Sequence, residues 1–192
     1  MSGRNHAENV VKKCAGRLSF LYRKATFLDS NCRKLLTSAL IQPYFDYCSS
    51  SWYKGIPKLL KSKFDVLQRR MVRFIHSNGP MEHVGLRDLG ALSWLNVPDR
   101  VRYFRLIHVF RIRSGLSPPY LSDNFTPLQS VHAYGTRGSV HDYHVSKEIS
   151  MSHSSFAYTA ISNWNALPES LKSVQSLSVF KTRLKCYLFS HY

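Results

Sequence analysis

Acidic residues are scarce in this chain of 192 residues, which has 11 Asp and Glu against 27 Lys and Arg and a formal net charge of +16. No two acidic residues are adjacent in the sequence, so a local carboxylate pair for a two-metal site is missing. The chain also has no P-loop, no G-x-G-x-x-G and no G-x-S-x-G motif. These absences argue against an enzyme with its own catalytic machinery, and we expect neither a cofactor nor a small-molecule substrate.

Long hydrophobic runs are lacking as well. The most apolar stretch, residues 35 to 45, is interrupted by polar residues and by Pro43, and it is much shorter than the ~20 residues of a membrane-spanning helix. Residues 1 to 11 include Arg4 and Glu8, where a secretory signal would be apolar. We therefore expect no membrane segment and an intracellular protein, nuclear or cytoplasmic.

Cysteine is limited to four residues, and no pair has the C-x-x-C spacing of a zinc knuckle or a thioredoxin-like site. Four unpaired thiols fit a reducing compartment. We expect Cys14, Cys32, Cys48 and Cys186 to act as small hydrophobic residues of the core.

Enough apolar material is present for a folded protein. Hydrophobic residues make up 44% of the chain and aromatic residues 13%, and a chain of this size can bury about 70% of its unfolded surface. The positive charge is concentrated in residues 1 to 113, with net charges of +5 for residues 1 to 53, +9 for 54 to 113 and +2 for 114 to 192. Such a balance favours an anionic partner, first of all nucleic acid.

Apolar residues recur at helical spacing along most of the chain, which predicts a mainly α-helical fold. In the first helix the apolar positions are Val10, Cys14, Leu18 and Leu21. We expect a second helix to be capped by Asp29 or Ser30 and to end or kink at Pro43. The predicted helices cover residues 7–25, 30–42, 57–78, 98–114, 156–165 and 177–189.

Composition divides the chain into three predicted segments. Residues 1–80 form a basic helical segment, and residues 81–115 a basic and apolar helical extension. Residues 116–192 form a tail that begins as a loop-rich stretch, with a small hairpin expected near residues 139–143, and ends in helices.

A charge row on a helix is often only a solvated face, but the net charge of +16 makes three rows candidates for phosphate contact. The rows are Lys13, Arg17 and Lys24; Lys58, Lys61, Lys63, Arg69, Arg70 and Arg73; and Arg102, Arg105 and Arg113.

Other residue patterns receive a structural interpretation. Tyr47, Trp52 and Tyr53 are candidates for base stacking, although core packing is the favoured role. A cluster of histidines around Asp142 lacks the spacing of a metal site and is interpreted as solvated loop residues. Its members are His132, His141, His144 and His153. The run Tyr44-Phe45-Asp46-Tyr47 resembles the Y-x-D-D signature of a polymerase palm, but Tyr47 replaces the second aspartate, so we interpret the match as coincidental.

Four blocks of sequence, in this order, are similar to the region that follows the palm in reverse transcriptases of non-LTR (LINE-type) retrotransposons, especially the jockey-like clades. Two of them are residues 35–52 (from Leu35-Leu36 through ALIQPYFDYCSSSW) and 67–75 (LQRRMVRFI). The other two, which resemble the C-terminal tail of the same polyproteins, are residues 89–127 (from LGALSWLNVPDR to SDNFTP) and 162–189 (from SNWNALPESL to LKCYLF). The collinear order is more specific than any one block.

This resemblance implies a helical thumb-like bundle up to about residue 80, which in that family grips template and primer, followed by a tail. The endonuclease, fingers and palm of the parent RNA-directed DNA polymerase have no counterpart in the sequence. We therefore predict a non-catalytic C-terminal fragment that binds RNA, DNA or their hybrid without sequence preference. The missing palm and fingers, or a second copy of the chain, are further candidate partners.

Two alternatives remain open. In the first, the chain is a helical protein-interaction or self-association module. The predicted helix 98–114 suggests this, because it is apolar nearly all round. In the second, the chain is a decaying element remnant with no selected function.

Overall fold

The fold is given by a computed structural model, which describes residues 3–79, 82–131, 141–146, 153 and 155–190. Over these residues the chain is mainly helical and contains no strand, which confirms the predicted fold class. The helices are α1 (Gly3–Arg23), α2 (Ser30–Leu40), α3 (Gln42–Asp46), α4 (Ser49–Trp52), α5 (Lys58–His76), α6 (Leu86–Ala91), α7 (Val97–Arg113), α8 (Phe156–Asn165), α9 (Glu169–Lys172) and α10 (Leu177–Phe189). None of these helices has the length and hydropathy needed to cross a bilayer.

Local chemistry explains where several helices begin and end. The Asp29 carboxylate caps α2 by accepting a hydrogen bond from the backbone N–H of Cys32 at 2.7 Å. Pro43 lies in the first turn of α3, where proline is tolerated, so the chain breaks between α2 and α3 as predicted. Helix α5 starts after Pro57 but ends at His76, two residues before the predicted end at residue 78. Ser77 takes the left-handed conformation that terminates it, with φ of 60°.

The chain divides into two compact units, the first ending at Val101 and the second beginning at Arg102. The division falls inside α7, whereas composition placed a change of texture near residue 116. The three segments proposed from the sequence, residues 1–80, 81–115 and 116–192, stay a prediction.

The core of the first unit is built on α5, against which α1 and α2 both pack. All four apolar positions predicted for α1 are buried. The predicted stripe of α5 is buried too, and it consists of Leu60, Phe64, Leu67, Met71, Phe74 and Ile75. Burial of one apolar stripe leaves the opposite side of α5 exposed, which positions its cations.

The core of the second unit contains the fully buried Trp164 and Phe180. The ring of Phe110, from α7, stacks on that of Phe180 with centroids 4.5 Å apart. Leu106 and Val109, in the part of α7 that belongs to this unit, are also buried, whereas Val97 and Val101 of the same helix belong to the core of the first unit. Much of the apolar surface of α7 is therefore buried.

Residues 141–146 are held against α8 by side-chain hydrogen bonds to their backbone. The Asn165 side chain accepts a hydrogen bond from the Tyr143 N–H at 3.0 Å and donates one to the Tyr143 carbonyl at 2.8 Å. Lys172, which is 4% exposed, donates to the Asp142 carboxylate at 2.6 Å and to the Asn165 carbonyl at 3.0 Å. These contacts anchor the segment through its main chain and one ion pair.

The expected hairpin near residues 139–143 lies partly outside the described residues, since Ser139 and Val140 are not among them. In the described part, Tyr143 forms an isolated antiparallel bridge with Pro127. The backbone N–H of His144 donates to the Thr126 carbonyl at 2.8 Å, and that of Leu128 donates to the Asp142 carbonyl at 2.9 Å. Extended pairing therefore occurs at one point, without a strand in the part of the chain that the structure describes.

The prediction for the cysteines was wrong for three of the four. Cys14 is buried in the core of the first unit, but Cys32, Cys48 and Cys186 are exposed. Small size and weak polarity permit burial without requiring it, and these three lie on outward positions of their segments. Cys32 instead makes a side-chain hydrogen bond with Asp29, which raises the pKa of its thiol.

This difference in burial predicts selective thiol labelling. Burial raises the pKa of Cys14 to about 12, against the opposing effect of Arg17. At pH 8 a shift of this size leaves about a thousandfold less thiolate than an unperturbed cysteine has. In the native chain we expect iodoacetamide to modify the three exposed cysteines and spare Cys14, which should react only in denaturant. Peptide mass spectrometry checks this, and fast native labelling of Cys14 would show that α1 does not pack as described.

Candidate nucleic-acid interface

The exposed side of α5 carries five cations, which we call the α5 basic face: Lys58, Lys63, Arg69, Arg70 and Arg73. At 100° per residue they fall within an arc of about 140°, opposite the buried stripe. The first three are exposed, whereas Arg70 and Arg73 are half-buried. Arg73 also donates through Nε to the Glu82 carbonyl at 2.8 Å, so its position is fixed by the segment that follows α5.

Two apolar side chains interrupt this face. Leu59 is 73% exposed and Val66 is 49% exposed. The one acidic residue of the helix, Asp65, is half-buried at the edge of the face. Burial raises the pKa of Asp65, and nearby Arg69 opposes this effect. The face is therefore strongly positive, with an apolar component.

Lys61 lies apart from the α5 basic face, on its flank. Its ammonium donates to the Lys54 carbonyl at 3.2 Å and lies 5.5 Å from the centroid of the Tyr53 ring. Burial lowers the pKa of Lys61, and the neighbouring charges of Lys54 and Lys58 lower it further. Lys61 contributes charge to this end of α5, but its side chain is already engaged within the chain.

The row predicted on α1 is only partly available to a partner. Lys13 and Lys24 are exposed, and Lys24 lies just beyond the end of α1. Arg17 is exposed but engaged, since it donates to the Leu40 carbonyl at 2.8 Å and places its guanidinium 4.3 Å from the centroid of the Tyr44 ring. This row belongs to the same unit as the α5 basic face.

The row predicted on α7 does not form a solvent-facing surface. Arg105 is only 6% exposed, and burial lowers the pKa of its guanidinium, so Arg105 is not accessible to a phosphate, contrary to the prediction. Because apolar residues lie on nearly every side of α7, the sequence does not indicate which side of the helix faces water. Arg102 is half-buried, and Arg113 is exposed but lies over the Trp164 ring, 5.8 Å from its centroid. All three belong to the second unit.

Arg33 was not predicted to have a role, and the structure gives it a structural one. Its guanidinium donates to the carbonyls of Phe74 at 3.2 Å and Ala25 at 2.7 Å, and it also contacts Ser77 Oγ. A cation is favourable at the C-terminal end of a helix such as α5. Arg33 thereby joins α2 to α5, and its guanidinium is engaged within the fold rather than in the candidate nucleic-acid interface.

The aromatic residues near α3 and α4 have different roles. Tyr53 is buried in the core, as favoured from the sequence, and Trp52 is half-buried. Tyr47, however, is 68% exposed. It lines a cavity of about 560 Å³ between α1 and the start of α3. We call this cavity the α1–α3 groove, and its lining residues are His6, Asn9, Val10, Lys13, Pro43, Tyr44 and Tyr47.

The acidic and histidine residues considered for metal binding have local partners. Asp46, in the run that resembles a palm signature, pairs with Arg100 at 2.5 and 2.6 Å. His141 contacts the Glu169 carboxylate, and the His153 ring lies 4.7 Å from that of Tyr158. His132 lies outside the described residues. Among the residues that are described, no three His, Cys, Asp or Glu side chains form a group suited to a metal ion.

Comparison with known protein families, curated proteins and solved structures gives no significant match for this chain.

Proposed function

We propose that the protein binds nucleic acid, whether RNA, DNA or their hybrid, without sequence preference and through the α5 basic face. The observation that carries this proposal is the presence of five cations on the exposed side of one helix, with its single carboxylate at the edge. Lysine and arginine side chains bind phosphates regardless of base sequence, and they release counterions on doing so.

The dimensions of the face fit a run of phosphates. From Lys58 to Arg73 the helix rises about 22 Å at 1.5 Å per residue. Phosphates along one strand of duplex DNA are spaced about 3.4 Å apart along the axis and wind around it, so a straight face of this length can contact several of them. Lys13 and Lys24, exposed in the same unit, add to its positive charge.

We also propose that the chain derives from the thumb and tail of a LINE-type reverse transcriptase, and that it acts inside cells, in the nucleus or cytoplasm. The four collinear blocks of sequence support the origin. A thumb holds template and primer by their backbones and leaves the chemistry to the palm, so the proposed role is binding without catalysis. A positive helical face is what that role requires.

The test of binding is a salt series. Purified full-length chain is titrated into a labelled RNA–DNA hybrid, and the logarithm of the binding constant is plotted against that of the salt concentration. Neutralising Z phosphates gives a slope of about −0.9Z on duplex DNA, and we expect a comparably steep slope on the hybrid. A flat salt response would exclude the proposed role of the α5 basic face.

The double substitution Lys63→Gln with Arg70→Gln localises the interaction. We expect weaker binding to all sequences alike and a slope smaller by about 1 for each phosphate that is no longer neutralised. The matched control is Lys181→Gln with Arg183→Gln, which removes the same charge from α10 in the other unit and should change binding little. Circular dichroism checks that α5 stays helical. Equal effects of the two pairs would mean that only total charge matters.

A second candidate function, protein interaction or self-association, is favoured by the exposure of Leu59 and Val66. The apolar surface of α7 does not support it, since Leu106, Val109 and Phe110 are buried. Light scattering on the same sample separates the two candidates. A dimer that dissociates in Leu59→Ser with Val66→Ser would assign this face to a protein partner.

A further inference from the structure

The α1–α3 groove is a second feature of the first unit, distinct from the α5 basic face. One wall is formed by α1, through His6, Asn9 and Lys13, and the other by Tyr44 of α3 and by Tyr47 just beyond it. Its volume of about 560 Å³ is within the usual range for a site that encloses a small organic group. The groove combines aromatic surface, polar groups and positive charge in one place.

The aromatic surface is held in position by the backbone. The Tyr47 N–H donates to the Pro43 carbonyl at 3.0 Å, and the Tyr47 carbonyl accepts a hydrogen bond from the Trp52 indole at 2.9 Å. The next residue, Cys48, has a φ of 49° and turns the chain sharply into α4. Tyr47 is nevertheless 68% exposed, so its ring is presented to solvent from a fixed backbone. Because the backbone is already fixed, only the side-chain torsions of Tyr47 remain to be ordered when a planar group binds.

Polar groups of the groove are suited to the edge of a base. Asn9 is exposed on α1 and offers both an amide donor and an acceptor. His6 lies beside the rings of Tyr47 and Trp52, with centroids 6.4 and 5.3 Å away. Its Nε2 is buried and has no hydrogen-bond partner among the described residues, so Asn9 is the polar group that can reach the edge of a base. The Asn9 amide both donates and accepts, so it can tolerate several hydrogen-bonding patterns, which agrees with binding that does not select a sequence.

Positive charge is placed next to the aromatic surface. Lys13 is exposed and lines the groove, while the Arg17 guanidinium lies over the Tyr44 ring at 4.3 Å. A nucleotide is the common ligand that pairs a planar, polar-edged ring with a negative charge a few ångströms away. The positive charge beside the aromatic surface therefore favours a nucleotide as the occupant of the groove.

We propose that the α1–α3 groove takes one unpaired base of single-stranded nucleic acid, stacked on Tyr47, with the adjacent phosphate on Lys13. This inference rests on the proposed nucleic-acid binding and extends it, because a base can enter the groove only when it is not paired and stacked in a duplex. The groove gives the chain a preference for single strands or strand ends, in addition to the backbone contacts of α5.

The test compares two ligands on the full chain. Binding of a fluorescein-labelled 12-residue oligothymidylate and of a labelled 12-base-pair DNA duplex is measured by anisotropy at one salt concentration. Tyr47→Leu should weaken binding to the single strand about tenfold, the loss expected for one base–aromatic stack. Duplex affinity should change less than twofold. Tyr47→Phe, which keeps the ring, should retain binding to the single strand.

A matched control and a second measurement make the result specific. Tyr120, which is also 68% exposed but belongs to the second unit, provides the control Tyr120→Leu, which should bind both ligands as the parent does. Photocrosslinking with 5-iodouracil in the oligonucleotide should attach it to the peptide that contains Tyr44 and Tyr47. A crosslink confined to another peptide would overturn the proposal.

Failure of this inference and failure of the proposed function give different results. If the parent chain binds neither ligand in a salt-dependent way, the proposed function fails and the groove has no nucleic acid to hold. If both ligands bind but Tyr47→Leu affects them equally or not at all, only the groove proposal is overturned. If Tyr47→Leu instead dissociates a dimer without changing affinity, the groove is an interface between two copies of the chain.

Discussion

Replacing Phe64 with alanine is expected to lower the free energy of unfolding by about 3–5 kcal/mol. The Phe64 side chain is fully buried in the core of the first unit. Its ring centroid lies 5.3 Å from that of Phe45, 5.6 Å from that of Trp52 and 6.2 Å from that of Tyr53. Truncation removes the apolar area of the ring, leaves a cavity, and deprives three aromatic neighbours of their shared partner. Urea unfolding followed by circular dichroism measures the loss.

The same substitution at an exposed position is the control for Phe64→Ala. Phe27 lies after α1 in the same unit and is 83% exposed, so Phe27→Ala should change the unfolding free energy by no more than about 0.5 kcal/mol. A loss below about 1 kcal/mol for Phe64→Ala would contradict its central place in the core. The difference between the variants, rather than either value alone, is the informative quantity.

In the second unit, Trp164→Ala is expected to cost a similar amount, about 3–5 kcal/mol. The Trp164 side chain is fully buried, with its ring 5.8 Å from that of Phe180 and 6.4 Å from that of Tyr143. Its indole N–H also donates to the His141 carbonyl at 2.8 Å, so the residue joins α8 to residues 141–146. Limited proteolysis of this segment, together with thermal unfolding, measures both consequences.

The variant Trp164→Phe separates packing from the hydrogen bond. It keeps an aromatic ring but removes the indole donor from the His141 carbonyl, which still accepts from Arg113 at 3.4 Å, so the lost hydrogen bond should cost about 0.5–1.5 kcal/mol. We therefore expect an unfolding free energy between those of the parent and Trp164→Ala, and faster cleavage near residue 141. If Trp164→Phe and Trp164→Ala are equally unstable, the hydrogen bond outweighs the packing.

Features that depend on neighbouring residues in the sequence were predicted well. The bounds of α8 and α10 agree with those predicted, because Ser155 caps α8 through its side chain and the apolar spacing of α10 is regular. The buried arcs of α1 and α5 were identified correctly for the same reason. Amphipathic spacing reports which side of a helix is covered, whatever covers it.

Features that depend on distant residues were missed. The burial of Arg105 and the role of Arg33 both follow from helices that meet only in the folded chain, as when Arg33 contacts the Phe74 carbonyl 41 residues away. The α1–α3 groove could not be foreseen either, since it brings His6 and Lys13 beside Tyr44 and Tyr47. The α5 basic face was foreseen because one helix contains all of it.

The way in which Asn165 holds Tyr143 has a consequence for the chemical ageing of the protein. Its carboxamide acts as a substitute peptide group, with one acceptor and one donor for the two backbone groups of Tyr143. Deamidation to aspartate would replace the donor with a second acceptor, which would then face the Tyr143 carbonyl across a gap of about one hydrogen bond. This change of one atom and one charge would replace a hydrogen bond with a repulsive contact. In deamidated protein, residues 141–146 would therefore lose order before the helices do.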